Sequence, residues 1–293
     1  MSGLLAERVA IITGAGRGLG RSHALALARA GARVVVNDID TNAASEVCRE
    51  IANDGGEAMS NSANVQDMTA VAAMVTQAIE RWGKVDILVN NAGILRDKTF
   101  AKIDLADFRL VLDVHVMGTV NCTQAVWSHM KDRAYGRVIF TTSSSGLYGN
   151  FGQSAYSAAK MALVGLMQTL ALEGSRHGIH VNCLAPSADT QMTHGLITPE
   201  DLLALDVERV SPAVVALASE RAPSKRIVLA GAGSFEEAHV TMTQGLYIPD
   251  AELSPERLLQ QWDRIGDRTD EFVPSRGFEQ YQFEVSRSRG SKP

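Results

Sequence analysis

The chain has 293 residues and a net charge of −5, with 45% hydrophobic and 21% charged residues. Its length lies near the upper limit of about 250–300 residues for one hydrophobic core, so we expect a single large domain. The acidic balance argues against a nucleic-acid partner. No apolar run reaches the ~20 residues that cross a bilayer, and the N-terminus lacks a basic region before an apolar one. We therefore expect no membrane partner and no secretory signal.

The cysteines and histidines argue against a disulfide framework and a metal site. Cys48, Cys122 and Cys183 are odd in number and widely spaced, which is typical of free thiols in a reducing compartment. None of the seven histidines stands in a metal-ligand spacing. We expect no metal.

Strand and helix patterns alternate along the first 230 residues. Short apolar runs predict seven strands, at Arg8–Thr13, Ala32–Asn37, Glu57–Ala63, Val85–Asn90, Gly136–Thr142, Ile179–Ala185 and Lys225–Ala230. Helical periodicity predicts helices at Leu19–Ala30, Thr41–Asn53, Asp67–Trp82, Asp104–Met130, Ser154–His177 and Pro199–Ser219 with Thr198 as its N-cap. This alternation predicts an α/β doubly wound fold, a seven-stranded parallel sheet with helices on both faces.

The alternation stops after Gly231. We expect an irregular or extended stretch over Ser234–Ile248, a short helix near Pro255–Ile265 and disorder over Ser286–Pro293. The predicted organisation is a domain over residues 1–233, an extension of it over residues 234–285, and a disordered tail. The extension is expected to cover the substrate cleft or contact another subunit.

A glycine-rich turn joins the first strand to the first helix. It includes Gly14, Gly16, Gly18 and Gly20. Backbone N–H groups at a helix N-terminus can receive a pyrophosphate, and a strand before the turn with a helix after it is the context that dinucleotide binding requires. A glycine-rich turn that only serves packing is the alternative.

Asp38 follows the second strand at about the spacing at which an acidic residue binds the adenosine ribose. A carboxylate there repels a 2′-phosphate, so it favours NAD over NADP. Arg17, in the glycine-rich turn, argues the other way, because its charge could pair with that phosphate. We give Asp38 more weight because it occupies the place of the phosphate, and we predict NAD as the cofactor. The alternative is a solvated turn residue.

Tyr156 and Lys160 stand four residues apart in a predicted helix, so they lie on one face. An ammonium beside a phenol favours the phenolate, which would suit Tyr156 to general acid–base catalysis. Ser143 lies at the end of a predicted strand, where α/β sheets place their chemistry. Taken alone, the tyrosine and lysine could simply begin an amphipathic helix.

Together these motifs resemble the short-chain dehydrogenase/reductase family. The residues that carry the resemblance are the glycine-rich turn, Asn90-Asn91-Ala92-Gly93, Ser143, and Tyr156 with Lys160. The resemblance extends over about Leu4 to Gly233 and implies a nicotinamide-dependent oxidoreductase.

The resemblance also implies roles for individual residues. Tyr156 is expected to be the catalytic acid/base. Lys160 is expected to lower the pKa of that tyrosine and bind the nicotinamide ribose, and Ser143 to polarise the substrate oxygen. Asn91 and Gly93 are expected to be adenine-side and backbone contacts of the cofactor. The expected cofactor site is completed by Gly14, Arg17, Gly18, Leu19, Gly20, Asp38, Asn64, Val65, Ala92, Pro186 and Thr190.

Two positions depart from the family pattern. His115 stands where the family usually has an asparagine that holds a water linking the lysine to solvent. An imidazole could serve as a proton relay there, and a core or interface histidine is the alternative. Pro186-Ser187 replaces the usual Pro-Gly before the nicotinamide loop, where Thr190 is the expected carboxamide contact.

These departures resemble one branch of the family, the (3R)-hydroxyacyl-CoA dehydrogenase portion of peroxisomal multifunctional enzyme type 2. His115, the run from Ser145 to Gln153 and the tail through Trp262 carry this resemblance. It implies NAD-dependent oxidation of (3R)-hydroxyacyl-CoA to 3-oxoacyl-CoA in the degradation of fatty acids or steroid side chains. Ser291-Lys292-Pro293 is not the peroxisomal Ser-Lys-Leu address, so we expect a free-standing cytoplasmic enzyme.

Two other functions stay open from the residues. One is a dehydrogenase of free hydroxysteroids or other secondary alcohols with the same catalytic residues, and the other is a dinucleotide-binding protein without turnover. The expected partner is a small-molecule substrate, an acyl-CoA or a steroid. Family members pair through the elements that correspond to Asp104–Met130 and Ser154–His177, which implies a homodimer or homotetramer.

Overall fold

The structure is a computed structural model that describes residues 3–188 and 204–290. It divides into a unit that ends at Ala238 and a second unit that begins at His239. The first unit contains the whole sheet and every site residue predicted from the sequence that lies among the described residues.

In the described part of the chain, eight strands form one sheet in the order β3-β2-β1-β4-β5-β6-β7-β8. Their bounds are β1 Val9–Thr13, β2 Arg33–Asn37, β3 Ala58–Asn61, β4 Ile87–Asn90, β5 Gly136–Thr141, β6 Ile179–Ser187, β7 Ile227–Gly231 and β8 Ser234–Ala238. The first seven are parallel, as predicted. β8 pairs antiparallel with β7 and was not predicted, because its polar, mostly exposed residues lack an apolar strand pattern.

The helices alternate with the strands as expected. Their bounds are α1 Gly18–Arg29, α2 Thr41–Asn53, α3 Met68–Trp82, α4 Leu105–Leu112, α5 Gly118–Asp132, α6 Ser144–Tyr148, α7 Ser154–Gly174 and α8 Ser211–Ala218. Asp40, Asp67 and Asp104 cap α2, α3 and α4 with side-chain bonds to backbone N–H groups, which is why these helices begin where they do.

The helices differ from the predicted ones in three places. The single helix expected over Asp104–Met130 is α4 and α5 separated by a π-helical turn at Asp113–Met117. The short helix α6 was not predicted. The helix expected over Pro199–Ser219 is, in its described part, a 3₁₀ turn at Val207–Arg209 followed by α8. Thr198 lies outside the described residues.

Most of the core lies in two apolar clusters, one on each face of the sheet, to which alternate strand residues contribute. Ile12, Val34 and Val89 belong to one cluster, and Ile11, Val35 and Leu88 belong to the other. A sheet buried on both faces explains why the strands are continuous apolar runs.

Helix α7 with its 3₁₀ extension, Ser154–His177, is long and apolar enough by length and composition alone to cross a membrane. It is not an unbroken apolar run, because it includes Lys160, Gln168 and Glu173. Leu163, Val164 and Met167 of α7 belong to the core cluster that also contains Val181 of β6. Core packing accounts for the apolar composition of this helix.

The second unit contains short helices α9 Pro255–Gln260 and α10 Trp262–Ile265, and the longer α11 Phe278–Ser288. Met242 and Phe272 form an isolated antiparallel bridge. Disorder was expected from Ser286, but Ser286–Ser288 complete α11. The unit begins after residue 238 and not after residue 233, because Ser234–Ala238 belongs to the sheet of the first unit. The role of the extension at the substrate cleft or at a subunit contact stays a prediction.

Candidate active site

The strand order changes direction between β1 and β4, which are neighbours although two strands separate them in the chain. The loops that follow these strands diverge there, and doubly wound sheets bind ligands in the crevice that forms at such a point. The glycine-rich turn follows β1, and Asn91-Ala92-Gly93 follows β4. The topology therefore brings two predicted cofactor motifs to the same edge of the sheet.

The glycine-rich turn is packed too tightly for side chains at two of its glycines. Gly14 has a φ of +61°, and a Cβ there would lie 2.8 Å from the Cα of Ala92. A Cβ on Gly20 would lie 2.1 Å from the carbonyl oxygen of Gly14. Glycine is required at both positions because the turn folds against α1 and against the loop after β4.

Asn91 braces this turn from the neighbouring loop. Its Nδ2 donates to the carbonyl oxygens of Thr13 and Gly14, each at 3.1 Å. The Thr13 hydroxyl in turn accepts from the backbone N–H groups of Asn91 and Ala92, at 3.0 and 3.1 Å. The side-chain NH₂ group of Asn91 thus donates its hydrogen bonds to the backbone of the glycine-rich turn. Its expected adenine-side contact stays a prediction.

Asp38 is held in a fixed orientation beside the glycine-rich turn. Its Oδ2 accepts from the backbone N–H of Gly16, and its Oδ1 from that of Asp40, both at 2.9 Å. A Cβ on Gly16 would lie 2.9 Å from Asp38 Oδ2, so this glycine, absent from the predicted site, makes room for the carboxylate. Arg17 pairs with Asp40 at 2.6 Å, and Asp40 also caps α2.

The remaining predicted cofactor residues lie on several elements. Gly18 and Leu19 begin α1, and Pro186 lies near the end of β6. Asn64 is exposed, whereas Val65 is buried, and its carbonyl oxygen accepts from Asn121 Nδ2 at 2.9 Å. Thr190 lies outside the described residues.

Lys160 is fully buried within α7, and burial lowers the pKa of its amine from 10.5 to about 7. Its Nζ donates to the carbonyl oxygen of Thr141, at the end of β5, at 2.5 Å. The Thr142 hydroxyl donates to the Lys160 carbonyl oxygen at 2.7 Å, so strand and helix are bonded in both directions. The amine is placed 5.5 Å from the centre of the Tyr156 ring.

Burial raises the pKa of the Tyr156 phenol, a hydrogen bond with the Ser143 side chain lowers it, and the charge of Asp97 raises it. The net direction is upward, opposite to the one expected from sequence. Helical spacing predicted the proximity of Lys160 but not the desolvation of the phenol, which dominates. Ser143 is brought to the tyrosine because it caps α6 directly after β5.

His115 lies in the π-helical turn and is 1% exposed. Its ring meets the Tyr156 ring edge to face, with centroids 5.3 Å apart. Its Nε2 lies 3.0 Å from the Ile94 nitrogen and 2.8 Å from the Ile94 oxygen. Its Nδ1 is buried and has no hydrogen-bond partner among the described residues. Burial and the charge of Lys160 lower the pKa of the imidazole and the bond with Ile94 raises it, with the net result that the pKa falls to about 3. The imidazole is therefore neutral at physiological pH.

Gly93 leaves room for the His115 ring, since a Cβ at position 93 would lie 2.3 Å from His115 Cε1. The π-helical turn is the local feature that brings His115 to the tyrosine, and such turns are frequent at functional sites. The structure thus brings together the four predicted catalytic residues: Ser143, Tyr156, Lys160 and His115.

Sequence reasoning missed one polar cluster beside these residues. Gln153 bonds to Ser145, Asn150 and Asp97. The available signal was a glutamine in the turn just before α7, three residues from the tyrosine.

The edge of the sheet has the features that a dinucleotide requires. The turn at Gly14 and Gly20 admits no side chains, α1 presents its N-terminus, and the Asp38 carboxylate is oriented beside them. The residues present fit such a group. The catalytic cluster next to it joins a phenol and a hydroxyl with a buried amine and a neutral imidazole, a set that can move a proton to or from a substrate oxygen.

Comparison with known proteins gives a family match over most of the chain. The family model described as short chain dehydrogenase matches residues 8–201. Peroxisomal multifunctional enzyme type 2 of Mus musculus is 41% identical over 273 residues, which cover 89% of this chain and 37% of the mouse protein. The chain thus spans little more than a third of that relative.

Two solved structures are similar in fold and in sequence. The full-length peroxisomal multifunctional enzyme type 2 from Drosophila melanogaster superposes with a TM-score of 0.84 and 36% identity, covering 97% of this chain and 50% of that chain. A 7α-hydroxysteroid dehydrogenase complexed with NADH and 7-oxo glycochenodeoxycholic acid gives a TM-score of 0.74 and 32% identity, covering 80% of this chain and 96% of that chain.

Proposed function

The chain belongs to the short-chain dehydrogenase family and is an oxidoreductase, and we propose that it oxidises (3R)-hydroxyacyl-CoA to 3-oxoacyl-CoA with NAD. The similarity to the peroxisomal multifunctional enzymes carries the choice of substrate class. It extends beyond the family match at residue 201 and includes the region of His115, where this chain departs from the usual family pattern.

The proposed reaction removes a hydride and a proton from the C3 carbinol. Bound NAD supplies the hydride acceptor. Tyr156 takes the proton of the C3 hydroxyl, and Ser143 donates a hydrogen bond that orients the same oxygen. The residues that would hold the cofactor are the glycine-rich turn, Asp38, and Lys160 on the nicotinamide side. Because burial raises the tyrosine pKa, we expect the oxidation rate to increase with pH as the phenolate fraction increases.

The preference for NAD over NADP rests on Asp38 and Asp40. Asp38 is held by two backbone N–H groups, so its carboxylate cannot easily turn away from a 2′-phosphate. Arg17 would be the natural partner of that phosphate, but Asp40 pairs with it. Both contacts disfavour NADP. A kcat/KM for NADP equal to or above that for NAD would overturn this part of the proposal.

The test of substrate class is a panel followed by NADH absorbance. It contains R and S hydroxyacyl-CoA thioesters of short, medium and steroid-derived chains, free hydroxysteroids and simple secondary alcohols. We expect turnover of the R thioesters and strong discrimination against S, since one configuration alone satisfies Tyr156 and the nicotinamide together. A truncated thioester should lose kcat/KM, because the CoA portion supplies binding energy. A preference for S would reject the assignment.

The second candidate is a dehydrogenase of free hydroxysteroids. The observation that favours it is the similarity over 80% of the chain to the 7α-hydroxysteroid dehydrogenase structure. Activity confined to free steroids in the same panel would select this candidate. Absence of turnover with every compound would favour a dinucleotide-binding protein.

We also propose a homodimer or homotetramer in the cytoplasm. The proposal is supported by the family and by exposed apolar residues of α7, Met161 and Leu172. The three cysteines are free thiols, as a reducing compartment permits. A monomer by light scattering at micromolar concentration would contradict the first part, and cell fractionation tests the second.

A further inference from the structure

Gln153 is the residue before α7, and its side chain is polar yet only 8% exposed. Its amide is bonded at both ends. The Oε1 accepts from the Ser145 hydroxyl at 2.8 Å and from Asn150 Nδ2 at 3.1 Å. The Nε2 donates to Asp97 Oδ2 at 2.6 Å. A buried amide bonded at both ends is a costly arrangement to lose, because each freed partner would be left unsatisfied.

These bonds connect three segments that no secondary structure joins directly. Ser145 lies in α6, the helix that Ser143 caps. Gln153 precedes Tyr156 by three residues, and its carbonyl oxygen accepts from the Ser157 N–H at 2.7 Å in the first turn of α7. Asp97 lies on the loop after β4, the loop whose Ile94 bonds to His115. One side chain therefore connects the segments that position Ser143, Tyr156 and His115.

We propose that Gln153 and Asp97 are positioning residues that clamp these three segments together and so keep Ser143 and Tyr156 in register on the substrate oxygen. The inference rests on the proposed catalytic roles of Ser143 and Tyr156. Neither clamp residue is required to touch substrate, because both act through the segments that they join.

The partners of Gln153 determine which way its side-chain amide is oriented. Asp97 can only accept when ionised, so the NH₂ group of Gln153 must face it, and the Gln153 oxygen then faces the two donors, Ser145 and Asn150. A bond to a charged acceptor is stronger than a neutral one. The double substitution of Gln153→Glu with Asp97→Asn exchanges the two functional groups and keeps every donor opposite an acceptor. The carboxylate at position 153 would then accept from Ser145, from Asn150 and from the new amide at position 97.

The experiment compares single substitutions at positions 153 and 97 with the exchanged pair. Gln153→Glu alone opposes two carboxylates, and we expect kcat to fall by roughly 10- to 100-fold at neutral pH, with recovery at acid pH as one carboxyl becomes protonated and donates again. Asp97→Ala should lower kcat about tenfold. The exchanged pair, Asp97→Asn with Gln153→Glu, should restore most of the loss. Gln77→Glu, on the exposed side of α3, makes the same charge change outside the clamp and should match the wild type.

The pH dependence of kcat also reflects the other charged and titratable groups near Tyr156. They are Lys160 on α7, His115 on the π-helical turn and Asp97 on the loop after β4. The acid recovery of Gln153→Glu is measured against wild type and Gln77→Glu at each pH, so the titration of these shared groups cancels.

Hydrogen exchange over residues 143–157 gives a readout that does not need a substrate. We expect faster exchange in Asp97→Ala and Gln153→Glu, and wild-type exchange in the exchanged pair. NADH affinity, measured by fluorescence, should be unchanged in all of them. Wild-type kcat and exchange in Gln153→Glu, or no rescue in the exchanged pair, would overturn the clamp. Ser143→Ala and Tyr156→Phe variants with full activity would instead overturn the proposed catalytic roles.

Discussion

The predicted cofactor site and the predicted catalytic site lie at the same edge of the sheet, but their polar groups are controlled in different ways. On the cofactor side, the polar group of interest is Asp38, a carboxylate oriented by backbone N–H groups next to glycines that admit no side chain. On the catalytic side, Lys160, Tyr156 and His115 are ionisable groups whose pKa values are shifted chiefly by burial. The cofactor side disfavours one dinucleotide through the position of a charge, whereas the catalytic side shifts pKa values through burial.

The comparison implies that substitutions on the catalytic side affect turnover, whereas those on the cofactor side affect which dinucleotide is used. The largest expected effect is that of Tyr156→Phe. It keeps the ring and its packing against His115 but removes the phenol oxygen that takes the proton, so turnover should fall by ~10²–10⁴ or more. NADH binding, measured by fluorescence titration, should be retained. Loss of binding together with turnover would show that the two sites are not separable.

Lys160→Met tests whether burial sets proton affinity on the catalytic side. The lysine pKa is about 7 in the folded chain against 10.5 in the ordinary state, so between these values the unfolded chain binds the extra proton. Stability should therefore rise with pH in the wild type relative to the Met variant, by on the order of 1 kcal/mol per pH unit between about pH 7 and 10. Denaturant unfolding of both variants across this range measures it. Parallel curves would mean that the folded amine keeps its ordinary pKa.

Asp38→Ser tests the cofactor side. It removes the repulsion of a 2′-phosphate, so the ratio of kcat/KM for NAD to that for NADP should fall by about tenfold. Asp40→Ala should lower the ratio further, by a few-fold, because it frees Arg17 from an exposed ion pair. Steady-state kinetics with both cofactors measures these ratios. A change in kcat with NAD as large as that in the ratio would contradict a purely selective role.

Of the two catalytic-side substitutions tested by turnover, His115→Asn should have the smaller effect, a loss of less than about tenfold, because an amide can make the same kind of hydrogen bond in a proton relay. The neutral imidazole lies too low in pKa, at about 3, to act as the base itself. The measurement is kcat beside that of Tyr156→Phe. Equal losses in the two variants would reject the relay and would make His115 essential to the chemistry.

Much of the cofactor side is predictable from the sequence because its determinants are local. A Cβ on Gly20 would clash with the carbonyl oxygen of Gly14 in the same turn, and Asp38 follows its strand at a fixed spacing. The alternation of apolar runs likewise predicted seven parallel strands, since a sheet covered on both faces needs continuous apolar strands. The spacing of Tyr156 and Lys160 predicted their proximity for the same reason of local geometry.

Only the tertiary structure decided the proton affinities and the long-range bonds. The phenol pKa is raised because α7 carries Tyr156 into a desolvated site, which helical spacing does not reveal. His115 reaches that phenol through a π-helical turn that no periodicity in Asp104–Met130 marks. The bond between Asp97 and Gln153 joins residues 56 positions apart. Desolvation and contacts between distant segments depend on how the elements pack, and the order of residues along the chain does not contain that information in a form that local reasoning can read.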